Sequence, residues 1–321
     1  MNLRRTRMTR GAALLAAPLL IATACSGNDT NEQADSSTTT TTPSGPTPRF
    51  ADEFDVDGPL DWEVWEPIIE KRHESYQTDR DKNVRVEDGN LVIEAHQEGY
   101  KDAKYTSAMI QTRESFQYGR FEARMKLPET PGTWPAFWLV NDDQWPDFGE
   151  IDVMEHFARE TETKGEPQSM GYVETNLHST PPKAVPALTD WGRATSTQVD
   201  VAEWHTYAVE WAEGEIRFFI DDEETATHVR PPKGDEQTWP FDDHPEVIAF
   251  DMFLGAYAGE VDSAALPQQL LVDWVRVWPL DDAAGEEAPD DTTPPSTTQS
   301  GCPAPTAYSA TGRVATRLPR A

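Results

Sequence analysis

Alternation of apolar and charged residues in GRFEARMKLP, Gly119 to Pro128, is the feature that most restricts the fold. Successive side chains of a strand point to opposite faces, so this period of two predicts a strand with one buried face. The alternating sets are Phe121, Ala123, Met125 and Leu127 against Arg120, Glu122, Arg124 and Lys126. Other segments have strand length and many β-branched or aromatic residues: NLVIEAHQ, SAMIQTR, TWPAFWLV, WHTYAVEWA, EIRFFIDD, EVIAFDMFLG and LLVDWVRVWPL.

No segment keeps apolar residues at helical spacing for three turns, so the sequence predicts an all-β domain. About ten strands without a helical layer indicate two packed antiparallel sheets. Gly214 and its neighbours alone separate WHTYAVEWA from EIRFFIDD, and this short connection predicts a hairpin.

The N-terminus predicts export. Four arginines within the first ten residues precede GAALLAAPLLIA, Gly11 to Ala22, an apolar run of 12 residues. A bilayer span needs about 20 apolar residues, so residues 1–24 are interpreted as a signal peptide.

Two processing sites overlap after this run. Thr23-Ala24-Cys25 resembles a bacterial lipobox, in which Cys25 takes lipid and anchors the protein to the membrane at the cell surface. Ala22-Thr23-Ala24 also fits an ordinary signal peptidase site, which would give a secreted protein.

Composition sets the domain limits. Residues 25–48 are a Ser/Thr/Pro-rich linker and residues 281–321 an acidic, Thr/Pro-rich tail, and neither can bury enough apolar surface to fold. The domain between them, residues 49–280, contains no cysteine. The formal net charge of −30 excludes the basic surface that nucleic-acid binding requires, and we expect a monomer.

The segment GEIDVMEH, Gly149 to His156, carries three acids on a predicted strand. Glu150 and Asp152 share a face at a spacing of two, while Glu155 comes one residue late. A β-bulge at Val153-Met154 would return Glu155 to the face of the other two, and bulges are frequent beside active sites.

Three convergent carboxylates suit the hydrolysis of glycosidic bonds. That reaction uses one carboxylate as a nucleophile or base and one protonated carboxyl as an acid. Trp134, Trp138 and Trp145 are near in sequence, and flat aromatic rings can pack on sugars. Trp134 and Trp138 share a face of one strand, although large aromatic side chains also commonly form the core.

GTWPAFWLV followed by WPDFGEIDVMEH resembles glycoside hydrolase family 16, in the branch with a bulged E-x-D-x-x-E motif. The resemblance implies a β-jelly-roll sandwich with an open concave cleft, and retaining endo-hydrolysis of a β-linked polysaccharide without a catalytic cofactor. That branch contains laminarinase-like endo-1,3-β-glucanases, agarases, carrageenases and other galactanases. Further segments extend the resemblance: FADEF, EDGNLVIEA, YTSAMIQTR, YGRFEARMKLP, ETNLH, WHTYAVEW and VDWVRVW.

The resemblance also implies roles for residues. Glu150 would be the nucleophile, Glu155 the general acid/base and Asp152 the residue that assists between them. Asn83 and Arg113 match positions that contact sugar in relatives, although an exposed arginine needs no function. His178 could bind the substrate or a catalytic carboxylate, or be an ordinary buried histidine.

A structural calcium ion is implied at Glu53, the backbone carbonyl of Gly89 and Asp273. Calcium accepts such oxygen ligands, yet Asp273 could equally pair with Arg276 or another base.

Two segments depart from the laminarinase pattern: DMFLGAYAGEV, Asp251 to Val261, and NLHST, Asn176 to Thr180. They leave β-1,3-glucan as the first substrate choice and an agarose or galactan as the alternative. Two other function classes stay open, namely a non-catalytic carbohydrate-binding protein and a metal site formed by Glu150, Asp152, Glu155 and His156.

Overall fold

The structure is a computed structural model, and it describes residues 47–141, 145–159, 171–180, 192–232 and 239–280. All of them belong to the compact unit Pro46–Ala321. The predicted signal peptide, Cys25, most of the linker and the tail lie outside the described residues. Within the described ranges, no helix has the length and apolarity needed to cross a membrane.

The described strands form two sheets, and each sheet combines strands that are distant in sequence. The strands of the larger sheet are β1 (Phe50–Asp52), β3 (Lys71–Arg72), β4 (Ser75–Gln77), β5 (Val84–Glu87), β6 (Asn90–Tyr100), β7 (Ala103–Ser107), β9 (Gly119–Lys126), β14 (His205–Ala212), β15 (Glu215–Ile220), β16 (Glu223–Val229) and β18 (Gln268–Trp278). Their order is β16-β15-β14-β9-β18-β6-β7-β4-β3, with β1 on β18 and β5 on β6.

The strands of the smaller sheet are β2 (Trp65–Pro67), β8 (Met109–Thr112), β10 (Thr133–Val140), β11 (Glu150–Glu155), β12 (Tyr172–His178), β13 (Thr195–Gln198) and β17 (Val247–Leu254). Their order is β13-β12-β11-β10-β17-β8-β2, which places β11 in the interior of the sheet. Two short 3₁₀ turns, Ala256–Ala258 and Ser263–Ala265, follow β17.

Strand β9 confirms the alternation found in the sequence. Phe121, Ala123 and Met125 are buried, and the charged residues between them are partly exposed. The buried residues of β9 join inward-facing residues of the smaller sheet in one core. Within it, the rings of Phe137 and Phe250 on neighbouring strands stack at a centroid distance of 5.0 Å. Burial of these apolar faces holds the two sheets together.

The predicted hairpin is also confirmed. Ala212 pairs with Glu215, which leaves Glu213 and Gly214 as the turn between β14 and β15. Gly214 has a φ of 76°, a conformation that glycine adopts more readily than other residues.

The structure has more strands than the roughly ten that the sequence predicts, because several are edge segments of two to four residues with no clear alternation. Lys71–Arg72 and Ser75–Gln77 are examples. The pairing is antiparallel as expected, except that β4 pairs with β7 in parallel.

Candidate active site

Strand β11 contains the predicted bulge. In the pairing with β10, Ala136 lies opposite Glu155 and Phe137 opposite Met154, but Trp138 lies opposite Asp152. The register therefore shifts by one residue, and Val153 is the additional residue. The pairing with β12 shifts in the same place, between Asp152 and Glu155.

The bulge places two consecutive side chains in the core. Val153 and Met154 are both buried in the hydrophobic cluster between the sheets. As a consequence Glu155 returns to the face that Glu150 and Asp152 share. This face of the smaller sheet points away from the core, and we call it the cleft face. The residues opposite these acids on β12 are, in order, His178, Asn176 and Glu174.

Burial controls the ionisation of Glu155. Its side chain lies on the cleft face, yet only 8% of the residue is exposed. Loss of solvation raises the pKa of Glu155 well above the usual range, and the charge of Asp152 raises it further. The charge of His178 and the hydrogen bond from Trp134 act in the opposite direction. Glu155 therefore holds a proton at a pH where an exposed glutamate has lost it.

His178 contacts the other two acids. Its Nε2 lies 3.2 Å from Asp152 Oδ2 and 3.8 Å from Glu150 Oε1. Asn176 orients this ring, because its Nδ2 lies 2.9 Å from His178 Nε2 while its Oδ1 accepts the backbone N–H groups of Leu177 and Arg193. His178 is thus placed at the carboxylates, as one of its two sequence interpretations expected.

The structure does not assemble the metal set of Glu150, Asp152, Glu155 and His156. His156 is fully buried, and its Nδ1–H donates to the carbonyl oxygen of Tyr172 at 2.8 Å. Burial lowers the pKa of His156 to about 4. Ligand atoms of Glu150, Asp152 and His178 lie within 4.8 Å of one another instead, but Glu150 and Asp152 belong to the carboxylate row of β11 and His178 is the β12 residue that contacts them.

Three tryptophans lie around the row, in different environments. Trp134 donates its indole N–H to Glu155 Oε1 at 3.0 Å and is surrounded by the rings of His73, Phe157, Phe253 and Tyr257. Its position suits orientation of Glu155 better than stacking on a sugar. Trp138 lies opposite Asp152 and is partly exposed, while Trp145 is 46% exposed, with its ring 6.4 Å from that of His178.

The structure contradicts the prediction that Asn83 contacts sugar. The residue has no exposed surface, and its amide is fully hydrogen-bonded inside the domain. Oδ1 accepts from Thr78 and Arg80, and Nδ2 donates to the carbonyl oxygen of Glu94 and to Thr106 Oγ1. With all these positions used, Asn83 stabilises the larger sheet and cannot contact a sugar.

Arg113 lies just beyond β8, near the outer edge of the smaller sheet. Its Nε donates to the carbonyl oxygen of Trp62 at 2.8 Å, and Nη1 lies 3.8 Å from a carboxylate oxygen of Glu66. These contacts give Arg113 a structural role, and sugar contact by it stays a prediction.

The two acids of the expected calcium site each have an arginine partner. Arg276 binds both oxygens of Glu53, at 2.8 and 2.7 Å, and Arg124 binds Asp273 at 2.5 Å. The backbone N–H of Gly89 contacts Asp57 Oδ1 at 3.2 Å. This arrangement matches the alternative in which Asp273 pairs with a base, and an ion would have to displace both arginines.

Asp251 is a further residue of the cleft face, and the sequence motifs did not identify it. Asp251 lies opposite Ala136 on β10, and Ala136 lies opposite Glu155 on β11. The alternation in AFDMF could have identified it, because Ala249, Asp251 and Phe253 share one face of β17 while the intervening residues belong to the core.

Comparison with known proteins agrees with this geometry. Residues 71–276 match the model of glycosyl hydrolases family 16. The chain belongs to this family. It is 38% identical over 251 residues to a beta-glucanase of Rhodothermus marinus, covering 71% of this chain and 84% of that protein.

Two further comparisons bear on fold and substrate. The laminarinase structure from Rhodothermus marinus superposes with a TM-score of 0.64 at 35% identity, covering 73% of this chain and 98% of that one. The keratan-sulfate endo-1,4-beta-galactosidase of Sphingobacterium multivorum is 30% identical over 172 residues, or 52% of this chain and 38% of that protein. The two-sheet β-jelly roll is therefore confirmed, and the chain is a glycoside hydrolase.

Deletion of Val153 tests the structural role of the bulge. The shortened strand, E-x-D-x-E, has an unbroken period of two, so all three carboxylates keep one face. We expect the deletion to lower the stability by about 1–3 kcal/mol, the usual range for lost core packing, and to retain measurable hydrolysis. Thermal unfolding and the release of reducing ends from polysaccharide measure the two effects.

The matched control inserts one alanine between Met154 and Glu155. This change turns Glu155 toward the core, and we expect hydrolysis to be lost. If the deletion and insertion variants both fold and have equal activities, the face to which the Glu155 side chain points does not determine hydrolysis.

Proposed function

We propose that this glycoside hydrolase is a retaining endo-β-glucanase with β-1,3-glucan as its substrate. The observation that carries the proposal is the carboxylate row of β11, in which Glu155, whose pKa is raised by burial, shares a face with Glu150 and Asp152. A protonated acid and a nucleophilic carboxylate on one face are what double displacement requires.

Each acid has one role in the proposed reaction. Glu155 donates its proton to the glycosidic oxygen as that bond breaks, and Glu150 attacks the anomeric carbon to form a glycosyl-enzyme ester. Glu155, now ionised, removes a proton from water, which attacks the same carbon and releases Glu150. Asp152, between them in sequence, supplies the negative charge that raises the pKa of Glu155.

Charge and relatives together support the choice of substrate. The net charge of −30 disfavours sulfated polymers, because each sulfate meets a repulsive field. The beta-glucanase and the laminarinase of Rhodothermus marinus support a neutral β-glucan. The galactosidase relative keeps a galactan or agarose as the alternative.

A polysaccharide panel tests the substrate. We expect the domain, residues 49–280, to release oligomers from laminarin, since an open cleft admits a chain along its length. Mixed-linkage glucan, agarose, carrageenan and galactan complete the panel, and the products are sized by chromatography. Cleavage of agarose or galactan alone would preserve the mechanism and replace the substrate. Binding without cleavage of any polymer would support the non-catalytic carbohydrate-binding alternative.

Retention of configuration tests the roles of the two glutamates. Proton NMR of the first product should show the β anomer. Glu150→Gln keeps the size of the side chain but removes the attacking charge, so turnover should fall by several orders of magnitude in a folded protein. An α anomer as first product, or a folded Glu150→Gln variant of normal activity, would contradict the assignment.

The pH profile tests the electrostatic role of Asp152. Its charge raises the pKa of Glu155, so Asp152→Asn should lower that pKa. Because Glu155 must be protonated to act as the acid, the alkaline limb of kcat/KM should move to lower pH. Trp134→Phe removes a hydrogen bond that lowers the pKa, so it should move the same limb to higher pH. Shifts in one common direction would contradict this account.

A structural calcium ion at Glu53, Gly89 and Asp273 is a separate proposal. Its support is the oxygen character of these ligands, and it requires both acids to leave their arginines. If the folded protein binds calcium there, a chelator should lower the melting temperature with little direct effect on the chemistry. Identical melting curves would leave the two ion pairs as the contacts that stabilise this region.

Anchoring at the cell surface is proposed from the sequence around Cys25. The full-length protein should fractionate with membranes and carry lipid on Cys25, whereas Cys25→Ser should appear in the medium. Release of unmodified wild-type protein would instead support cleavage at Ala22-Thr23-Ala24 and secretion.

A further inference from the structure

Asp251 is a buried acid on the cleft face that the proposed reaction does not use. It has no exposed surface, although its position on β17 places it on the same face as the catalytic row. Ala136 lies between Asp251 and Glu155 across the sheet. The backbones of Asp251 and Glu155 are therefore two strand spacings apart, about 10 Å.

Trp138 donates a side-chain hydrogen bond to Asp251. The indole Nε1–H donates to Asp251 Oδ2 at 2.8 Å. On the other side of β10, Trp138 lies directly opposite Asp152. The indole of Trp138 is thus hydrogen-bonded to a residue of β17, while the Trp138 backbone on β10 pairs with β11, the strand of the catalytic acids.

The burial of Asp251 indicates a specific use for it. A buried carboxyl lowers stability unless it makes compensating contacts. Burial raises the pKa of Asp251 well above its usual range and the charge of Asp152 adds to this, while the hydrogen bond from Trp138 and the charge of Arg72 oppose it. A carboxyl that keeps its proton can accept the indole N–H without placing a full charge under the cleft.

Strand β10 repeats this arrangement. Trp134 and Trp138, four residues apart, each donate the indole N–H to a carboxyl on a neighbouring strand, Glu155 on β11 and Asp251 on β17. The first bond orients the acid, which is the reacting group. In the second bond the acceptor, Asp251, takes no part in the reaction, so the group that this bond orients is the indole of Trp138.

We propose that Asp251 is a positioning residue that fixes the indole of Trp138 as a platform for the sugar chain beside Asp152. The proposal rests on the proposed function, because it assigns Trp138 to the binding of a polysaccharide. Its consequence is that Asp251 affects the binding of the sugar chain through Trp138 alone.

A double-mutant cycle in the Glu150→Gln background tests the proposal by calorimetric titration. The ligand is an oligosaccharide of the polymer that the wild-type domain cleaves. Asp251→Leu should weaken binding about tenfold, within the range expected when one hydrogen bond is lost. Asp251→Asn keeps an acceptor oxygen and should bind within about threefold of the parent. In a Trp138→Phe background, Asp251→Leu should change the affinity by less than about twofold.

A second measurement needs neither substrate nor activity. The indole N–H of Trp138, assigned in ¹⁵N-labelled protein by its loss in Trp138→Phe, should exchange with solvent slowly in the wild type and in Asp251→Asn. Exchange should be faster in Asp251→Leu, or in Asp251→Ser if the leucine variant does not fold. Glu246→Gln is the control, since Glu246 is another buried acid directly before β17 whose pKa burial also raises.

Two results would overturn the proposal. One is that Asp251→Leu weakens oligosaccharide binding equally with Trp138 present and in the Trp138→Phe background. This result would show that Asp251 acts independently of the indole. The other is exchange of the Trp138 indole at the same rate in the wild type and in Asp251→Leu. Failure of the proposed function appears separately, as the absence of hydrolysis of every polymer by the wild type.

Discussion

The bulge at Val153 is the constraint on which the site depends. An unbroken strand of this sequence would direct Glu155 into the core, where a carboxyl without partners is strongly unfavourable. The additional residue places Val153 and Met154 together in the core and returns Glu155 to the cleft. Packing of Val153 and Met154 thus determines the direction of the Glu155 side chain. The interior position of β11 in its sheet determines where along the face that side chain lies.

The three carboxyls, which the sequence presents as equals, have different surroundings in the structure. Glu155 is buried and lies near the charge of Asp152, so its pKa is raised, while the side chain of Glu150 is 16% exposed and lies near His178. Hydrogen bonds from the indoles of β10 join two of the buried acids to that strand.

Local patterns in the sequence were sufficient for the longer strands, the hairpin at Gly214 and the bulge, because each depends on a period of two or on a short turn. Local patterns do not predict which residues that are distant in sequence contact one another. Asn83 was expected in the cleft, but its amide is used inside the domain, and two of its four partners, Glu94 and Thr106, lie on the separate strands β6 and β7. Asp251 was missed for the same reason, since its importance depends on Trp138 of a neighbouring strand. The arginine partners of Glu53 and Asp273 are likewise remote in sequence.

Trapping of the covalent intermediate tests the central claim most directly. A 2-deoxy-2-fluoro glycoside of a β-glucan disaccharide, with a good leaving group, should form an ester that hydrolyses slowly. Peptide mass spectrometry of the inactivated enzyme should then locate the added sugar on Glu150 alone. Labelling of Asp152 or Glu155, or rapid turnover without any covalent adduct, would contradict the division of roles that the bulged strand imposes.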